Sequence, residues 1–224
     1  MTAYTLKRSN RKTIALHVRD GSVEVRAPLK LPQRDIDRFV ASKEKWVKDK
    51  LEKSQERIAR RESFSLTYGD YVSFRGEQRQ ITVREGASAK LDIVSFSMPP
   101  GLTPQQIKAA CIRTYRICAK HVLTWKTLGY AEEMSVMPSS IRINNAKSRW
   151  GSCSGAGRLN FSWRLIMADD DVIDYVVVHE LAHITELNHS ARFWKLVENE
   201  LPDYKERKAR LRELQNKLDN EVWD

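Results

Sequence analysis

The hydrophobic pattern of the first hundred residues is mostly that of strands, interrupted by one helical stretch. The segments TIALHV and VEVRAP flank Asp20-Gly21, which predicts a β-hairpin. From Pro32 onward, apolar residues recur every three or four positions, which predicts one long amphipathic helix. YVSFRGEQRQITVRE, with a turn near Gly76, and LDIVSFSM predict further strands. Pro99-Pro100-Gly101 then breaks the pattern and marks a candidate domain boundary.

Helical and strand patterns alternate in the second half of the chain. Thr103-Pro104 is typical of a helix start, and the apolar spacing predicts a helix to about Leu128, with Gly129 as its stop. The segment IRINNA at 141–146 predicts a strand. LNFSWRLI at 159–166 alternates strictly between apolar and polar residues, which predicts another strand.

The stretch from Asp171 to Trp194 is apolar and too long for a typical strand. Its valines are β-branched, but apolar residues continue to Leu187, and this length favours a helix. Asp171 and Asp174 suit the start of a helix, where the dipole is positive. Because the helix is apolar on nearly all sides, we expect it to lie at the centre of a core.

This predicted helix and its end hold three of the five histidines of the chain. Residues four apart lie nearly one above the other, so His179 and His183 point the same way and can share one metal ion. Glu180 is one step round the helix, where its carboxylate can reach a water on that metal without being a ligand. The arrangement is the H-E-x-x-H motif, whose chemistry is zinc hydrolysis with the glutamate as general base.

A catalytic zinc needs three protein ligands and one open position for water. His189 is the candidate third ligand, and because it follows His183 by six residues, the chain must turn before it. Asn188 tolerates the left-handed conformation that ends a helix, and Ser190 can cap a second helix. The predicted cofactor is therefore one catalytic Zn²⁺.

Three segments carry a resemblance to a known family: SRWGSCS at 148–154, LNFSWRLI at 159–166 and IDYVVVHELAHITELNHSARFW at 173–194. Together they resemble the YgjP-like (DUF45) metallopeptidases, relatives of the SprT and WLM families among the gluzincin-like zinc peptidases. The resemblance covers nearly the whole chain. It implies that the three histidines bind zinc and that Glu180 is the catalytic base.

The pattern and the resemblance together predict an α+β protein in two parts. Residues 1–100 form a β-rich region with the long helix. Residues 101–224 form a minimal zincin-like metallopeptidase domain, in which a small mixed sheet packs on helices beside the active-site helix. In gluzincin-like enzymes a strand next to that helix binds the substrate as an added strand. The resemblance therefore implies a polypeptide partner and this role for part of 147–166.

Three further residues are candidate substrate contacts. Arg149 lies in a Gly-rich loop and can face a carboxylate of the substrate or of the helix. Asn160 lies on the polar side of the predicted strand, and Tyr204 can offer a phenol to a developing oxyanion. Each also has a structural interpretation, and the sequence does not choose between the two.

The composition indicates where in the cell we expect the protein to be located. Cys111, Cys118 and Cys153 are odd in number and show no paired spacing, which fits free thiols in a reducing compartment. No apolar run is long enough to span a membrane, and the N-terminal residues lack a signal-like apolar region. We therefore expect a cytoplasmic location and no membrane partner, while the oligomeric state is not defined by the sequence.

The net positive charge of the chain indicates nucleic acid as a second possible partner. The chain has 39 Lys and Arg against 29 Asp and Glu, a net charge of +10 spread along the sequence, which is compatible with nucleic acid. In the long helix, seven basic residues form a possible basic ridge: Lys43, Lys45, Lys48, Lys50, Arg57, Arg60 and Arg61. Acidic residues are interleaved with them in sequence, which favours a solvated helix face.

The sequence leads to one main hypothesis of function and two alternatives. The main hypothesis is zinc-dependent hydrolysis of peptide bonds with Glu180 as general base. The first alternative is a DNA-associated protease, like the SprT relatives, or a nucleic-acid-binding module with little activity. The second is a zinc amidase or other hydrolase of a small molecule, because the metal site does not itself specify a peptide.

Overall fold

The computed structural model of the protein describes residues 3–86 and 88–223. Its contacts divide the chain into two compact units. The first runs to Phe64 and includes Leu218–Val222, and the second comprises Ser65–Lys217 with Trp223. The strands between 71 and 98 are thus grouped with the C-terminal part, and a boundary near residue 100 stays a prediction.

The first unit is built on a three-stranded mixed sheet. Strands β1 (Thr5–Ser9), β2 (Ala15–Arg19) and β3 (Ser22–Pro28) lie in the order β1-β3-β2, with β1 parallel and β2 antiparallel to β3. Asp20 (φ 47°) and Gly21 (φ 72°) adopt the left-handed conformation between β2 and β3, which confirms the predicted hairpin.

Two helices, where the pattern predicts one, complete the first unit. Helix α1 (Gln33–Ser42) and helix α2 (Glu44–Ser63) are separated at Lys43, which leaves helical geometry (φ −110°, ψ 13°). The prediction of a single long helix was therefore wrong. Each helix has its own buried face: Ile36 and Val40 of α1 join the core of the sheet, and Val47 is fully buried on α2.

The second unit begins with a four-stranded sheet. Strands β4 (Tyr71–Phe74), β5 (Glu77–Val83), β6 (Lys90–Leu91) and β7 (Ser95–Met98) lie in the order β4-β5-β7-β6. The turn between β4 and β5 is formed by Arg75 (φ 50°) and Gly76 (φ 80°), as predicted.

Helix α3 (Pro104–Glu133) follows and is longer than the pattern predicts. Its start is as expected, because Thr103 and Gln106 form a reciprocal capping box. The helix continues past Gly129, so the predicted stop was wrong: an isolated glycine lowers helix propensity without ending a helix that is packed along its length.

A three-stranded sheet lies next to the candidate site. Strands β8 (Ser140–Asn144), β9 (Gly151–Cys153) and β10 (Arg158–Ser162) have the order β8-β10-β9, so β9 is at an edge. The strand predicted to reach residue 166 ends at Ser162, and Trp163–Met167 form a 3-10 helix. All five of these residues are buried, which a strand with one polar face would not permit.

Three helices complete the chain: α4 (Asp170–Thr185), α5 (Ala191–Glu200) and α6 (Tyr204–Leu218). Helix α4 packs against α3 and β9, and Val177, Val178 and Leu181 are fully buried, which confirms a central buried helix. The described residues form a mixed α+β structure of three small sheets and six α-helices. Within these residues no helix combines the length and apolar character needed to cross a membrane.

Candidate metal centre

The structure brings His179, His183 and His189 together. One ring nitrogen from each lies within 4.8 Å of the others, and the ring centroids are 4.7–5.0 Å apart. The first two project from consecutive turns of α4, as their four-residue spacing requires. His189 comes from the segment between α4 and α5 and is the most exposed of the three, so the cluster is open to solvent on its side.

The turn that delivers His189 differs from the expected one. Helix α4 ends at Thr185, and Glu186 is extended (φ −127°, ψ 102°). Asn188 is not among the described residues with positive φ, so a left-handed Asn188 was a wrong prediction. Ser190 does cap α5, because its hydroxyl oxygen accepts a hydrogen bond from the Phe193 amide at 3.2 Å.

Two of the nitrogen atoms already lie at the separation that a shared metal ion requires. Nε2 of His189 lies 3.1 Å from Nε2 of His179, close to the roughly 3.3 Å that separates two nitrogens bound tetrahedrally to one ion at 2.0–2.1 Å. Nδ1 of His183 lies 3.0 Å from the carbonyl oxygen of Glu186. A proton held on Nδ1 by that carbonyl leaves the Nε2 lone pair of His183 free for a metal.

His179 is held in the neutral form that a metal ligand requires. Its other ring nitrogen, Nδ1, is buried and has no hydrogen-bond partner among the residues that the structure describes. Burial, followed by the nearby charges of His183, His189 and Lys208, lowers the pKa of His179 to about 3. The ring is therefore neutral at physiological pH, and a bound metal would offset the cost of burying it.

Two aromatic residues surround the histidines, and the sequence did not identify this role. The ring of Phe193 lies 4.4–4.9 Å from all three imidazoles, measured between centroids. Trp194 stacks on His189 at 5.6 Å. Both residues belong to the first turn of α5, so the helix capped by Ser190 fixes the apolar wall that orients the rings.

Glu180 lies one residue from the first histidine and faces strand β9. Its side chain is only 6% exposed. A Cβ atom at Gly151 would lie 2.5 Å from Cγ of Glu180, so only glycine permits this approach of helix and strand. Burial raises the pKa of Glu180 to about 7, and the charge of Arg149 acts in the opposite direction.

Strand β9 offers an unpaired edge beside this carboxylate. Trp150 accepts a backbone hydrogen bond from Ser162 at 2.8 Å, and Ser154 donates one to Arg158 at 3.0 Å. Because hydrogen-bonded positions alternate along an antiparallel strand, the backbone groups of Gly151 and Cys153 point away from β10. Among the described residues no further strand pairs with that edge.

The three candidate substrate residues lie in different surroundings. Arg149 is exposed and interacts electrostatically with Glu180. Tyr204 stacks on Trp194 at 5.3 Å and is thus separated from His189 by one ring. Asn160 pairs with Ser152 on β9, so its side chain lies on the sheet face opposite to Glu180. A role in substrate binding stays a prediction for each of them.

Ion pairs anchor the start of α4. Lys126 of α3 is 9% exposed, and its Nζ lies 2.6 Å from Asp174 and 3.8 Å from Asp170. Nε of Arg75, at the tip of the β4–β5 turn, donates to Asp170 at 2.6 Å. A further pair of bonds joins Arg210 of α6 to the first turn, at Asp169 and Asp171. The histidine-bearing helix is therefore held at its N-terminal end by basic side chains from α3, α6 and the β4–β5 turn.

A histidine cluster beside a buried glutamate and an open strand edge is the arrangement of a metallopeptidase. The YgjP-like metallopeptidase domain matches residues 12–214, and the chain belongs to this family. Membership implies a divalent metal, which the three histidines can hold.

One solved structure and the curated sequences complete the comparison. The crystal structure of the metallopeptidase zymogen of Pyrococcus abyssi abylysin aligns with a TM-score of 0.36 and 22% identity, over 42% of this chain and 90% of that chain. At this level of similarity the match adds nothing to the family assignment. No curated protein sequence matches the chain significantly.

Proposed function

We propose that this protein is a zinc-dependent peptidase that hydrolyses peptide bonds with Glu180 as general base. The observation that carries the proposal is the convergence of three imidazole nitrogens next to a buried carboxylate that faces an open strand edge. Membership of a metallopeptidase family supports it.

The donor set favours zinc. His179, His183 and His189 supply three neutral nitrogen ligands, which suit zinc better than the hard cations that prefer oxygen. When bound there, the ion would polarise the scissile carbonyl and lower the pKa of a water molecule toward about 7. His183 is already oriented for this role by the carbonyl of Glu186, and His179 by the packing of Phe193.

Glu180 is suited to move a proton. Its carboxylate accepts a proton from the attacking water and then donates that proton to the leaving amine. Burial beside Gly151 raises the pKa of this carboxyl group, and a bound zinc would lower it. A general base works best when its pKa is near the operating pH. Arg149 adds a positive charge on the same side and limits this shift.

Strand β9 is suited to bind an extended polypeptide. The outward N–H and C=O groups of Gly151 and Cys153 can pair with the backbone of a substrate strand, as an added strand of the sheet. Backbone pairing is independent of side chains, so we expect broad acceptance of unfolded polypeptide. An open edge of this kind favours a peptide over a small-molecule substrate.

The test is the Glu180→Gln variant, assayed on an unfolded protein with and without added zinc. We expect hydrolysis to fall by at least about 10²-fold, because proton transfer by a positioned base contributes about that much or more. Zinc content should stay at one ion per chain. Glu198→Gln, on the exposed side of α5, is the matched control and should be as active as the wild type. Full activity of a zinc-loaded Glu180→Gln protein would remove the base from the mechanism.

A further inference from the structure

The net charge of the chain is concentrated in its first 64 residues. This segment has 17 Lys and Arg against nine Asp and Glu, a net charge of +8, while the rest has 22 against 20. Basic residues occur throughout, but only in this N-terminal segment are they in clear excess; Asp219 and Glu221 add acidic charge to the same unit. The metal centre lies in the second unit and therefore does not account for this excess of basic residues.

Much of this excess lies on one side of α2. Five residues of the helix at alternating spacings of four and three form a line, and Lys43 directly precedes the helix. We call these six the basic stripe: Lys43, Trp46, Lys50, Lys53, Arg57 and Arg60. At about 100° per residue, these positions fall within one third of the helix circumference. Val47 and Ser54 are buried on the adjacent side of the helix, so the stripe borders the core.

The acidic residues of α2 lie on a different flank. In sequence they alternate with the basic ones, which suggested a uniformly solvated face. On the helix, Glu44, Asp49, Glu52 and Glu56 project outside the stripe, and the basic residues Lys45 and Lys48 lie among them. Placing the residues on the helix therefore separates the stripe from most of the acidic residues, and Arg60 is the member of the stripe that pairs with this flank, at 3.4 Å from Glu56.

The stripe continues into a groove of the same unit. Trp46 and Lys50 form one wall of this cavity, and the outer face of the β1-β3-β2 sheet forms the other, with Lys7, Arg19 and Arg26. The acidic residues of the groove are already paired. Glu24 lies within 2.6 Å of Arg26 and contacts Lys7, and Asp20 lies 4.0 Å from Arg57.

Trp46 provides a second type of contact within the stripe. It is 41% exposed although tryptophan is a large apolar residue, and Nζ of Lys50 lies 5.9 Å from its ring centroid. An exposed ring flanked by cations is suited to stack on a nucleobase whose phosphates are neutralised by the neighbouring side chains.

We propose that the first unit binds single-stranded nucleic acid along the basic stripe, with Trp46 stacking on a base. The stripe extends for about 25 Å along a straight helix, which is long enough to follow several nucleotides. In a duplex the bases are already stacked and unavailable to Trp46. A membrane surface requires an exposed apolar helix face. On α2, Val47 is buried and Leu51 and Ile58 are half-buried, which leaves Trp46 as a single large exposed apolar side chain. The proposal does not depend on the peptidase activity.

The test measures binding of the full-length protein to fluorescent oligothymidylate of about 20 nucleotides by anisotropy. The variant Lys50→Glu/Lys53→Glu removes two charges of the stripe, and Lys45→Glu/Lys48→Glu makes the same charge change on the other flank. We expect the stripe variant to bind at least about tenfold more weakly. The slope of log K plotted against log salt concentration should decrease in magnitude by about 1.4. The flank variant should change by less than about twofold.

Stacking is tested separately with Trp46→Ala. We expect about a tenfold loss of affinity, because stacking of one base contributes about 1–3 kcal/mol. Trp125→Ala is the matched control, since Trp125 is 72% exposed on α3 and also has a lysine over its ring. Equal thermal melting of all variants shows that each of them is folded.

Several results would overturn the proposal. The first is that the protein does not bind the oligonucleotide at low salt. The second is that the stripe and flank variants lose equal affinity, and the third is that the protein binds duplex more tightly than single strand. Stripe-dependent binding to phosphatidylserine vesicles that exceeds binding to the oligonucleotide would also reject it. Because none of these measurements involves hydrolysis, their outcome is independent of the Glu180 test.

Discussion

The two units of this protein use charged residues in different ways. In the first unit, Lys43, Lys50 and Lys53 form no ion pair within the described residues and lie exposed on α2. In the second, Lys126 is almost fully buried and its ammonium group contacts two aspartates of α4. The same residue type is thus a surface cation in one place and a structural anchor in the other.

Burial and pairing explain the difference. Desolvating the ammonium of Lys126 is costly unless a carboxylate compensates it, so the pair at Asp174 is strongly coupled to folding. An exposed lysine keeps its hydration and costs little to keep or to remove. We therefore expect a large effect on stability where a buried, paired charge of the second unit is replaced, and a small effect where an exposed charge of the first unit is replaced.

The largest effect is expected for His189→Ala. Zinc affinity should fall by about 10³-fold, because a binding free energy of about 10–16 kcal/mol is shared among a few ligands. Competition with a chromophoric chelator measures this loss. His121→Ala, an exposed histidine of α3, is the control and should bind zinc like the wild type. Equal zinc affinity of the two variants would mean that His189 is not a ligand.

The next effect concerns the anchor of α4. Lys126→Met should lower the free energy of unfolding by about 3 kcal/mol, because it leaves the carboxylate of Asp174 partly buried without its cation. Urea denaturation gives this value directly. Lys120→Met, at an exposed position of the same helix, should change it by less than about 0.5 kcal/mol. Similar losses for both would show that the pair is not an anchor.

A smaller effect is expected where strand and helix approach most closely. Gly151→Ala places a methyl group against Glu180 and should reduce peptidase activity by about 10- to 100-fold while zinc remains bound. Gly155→Ala is the matched control, because a Cβ there meets no atom within 4 Å. If zinc is lost together with activity, the glycine supports the metal ligands and not the position of the carboxylate.

The smallest effect is expected for an exposed ion pair of the first unit. Arg38 is 71% exposed in its side chain and lies 3.7 Å from Asp35. Arg38→Ala should change the free energy of unfolding by less than about 0.5 kcal/mol and leave peptidase activity unchanged. A loss comparable to that of Lys126→Met would remove the contrast between the two units.

The histidine cluster was predictable because helix geometry fixes the relation of residues four apart. His179 and His183 follow from the length and apolar character of one segment, and His189 is close enough in sequence for one turn to bring it back. Their assignment as zinc ligands, and that of Glu180 as base, stay predictions, as does a cytoplasmic location.

The surroundings of the cluster could not be predicted, because they depend on distant parts of the chain. Strand β9 has only three residues and carries no detectable periodicity. Lys126 contacts Asp174 across 48 positions of sequence, and no local pattern connects them. The strict alternation at 159–166 was misleading for a related reason: Trp163 and Arg164 are buried by tertiary packing, which overrides the strand pattern.

X-ray absorption spectroscopy of the zinc-loaded protein tests the central claim most directly. The account predicts one zinc per chain with three imidazole nitrogens at about 2.0–2.1 Å and one further oxygen ligand from water. A fourth protein ligand, such as the sulfur of Cys153, or coordination by only two imidazoles would contradict it.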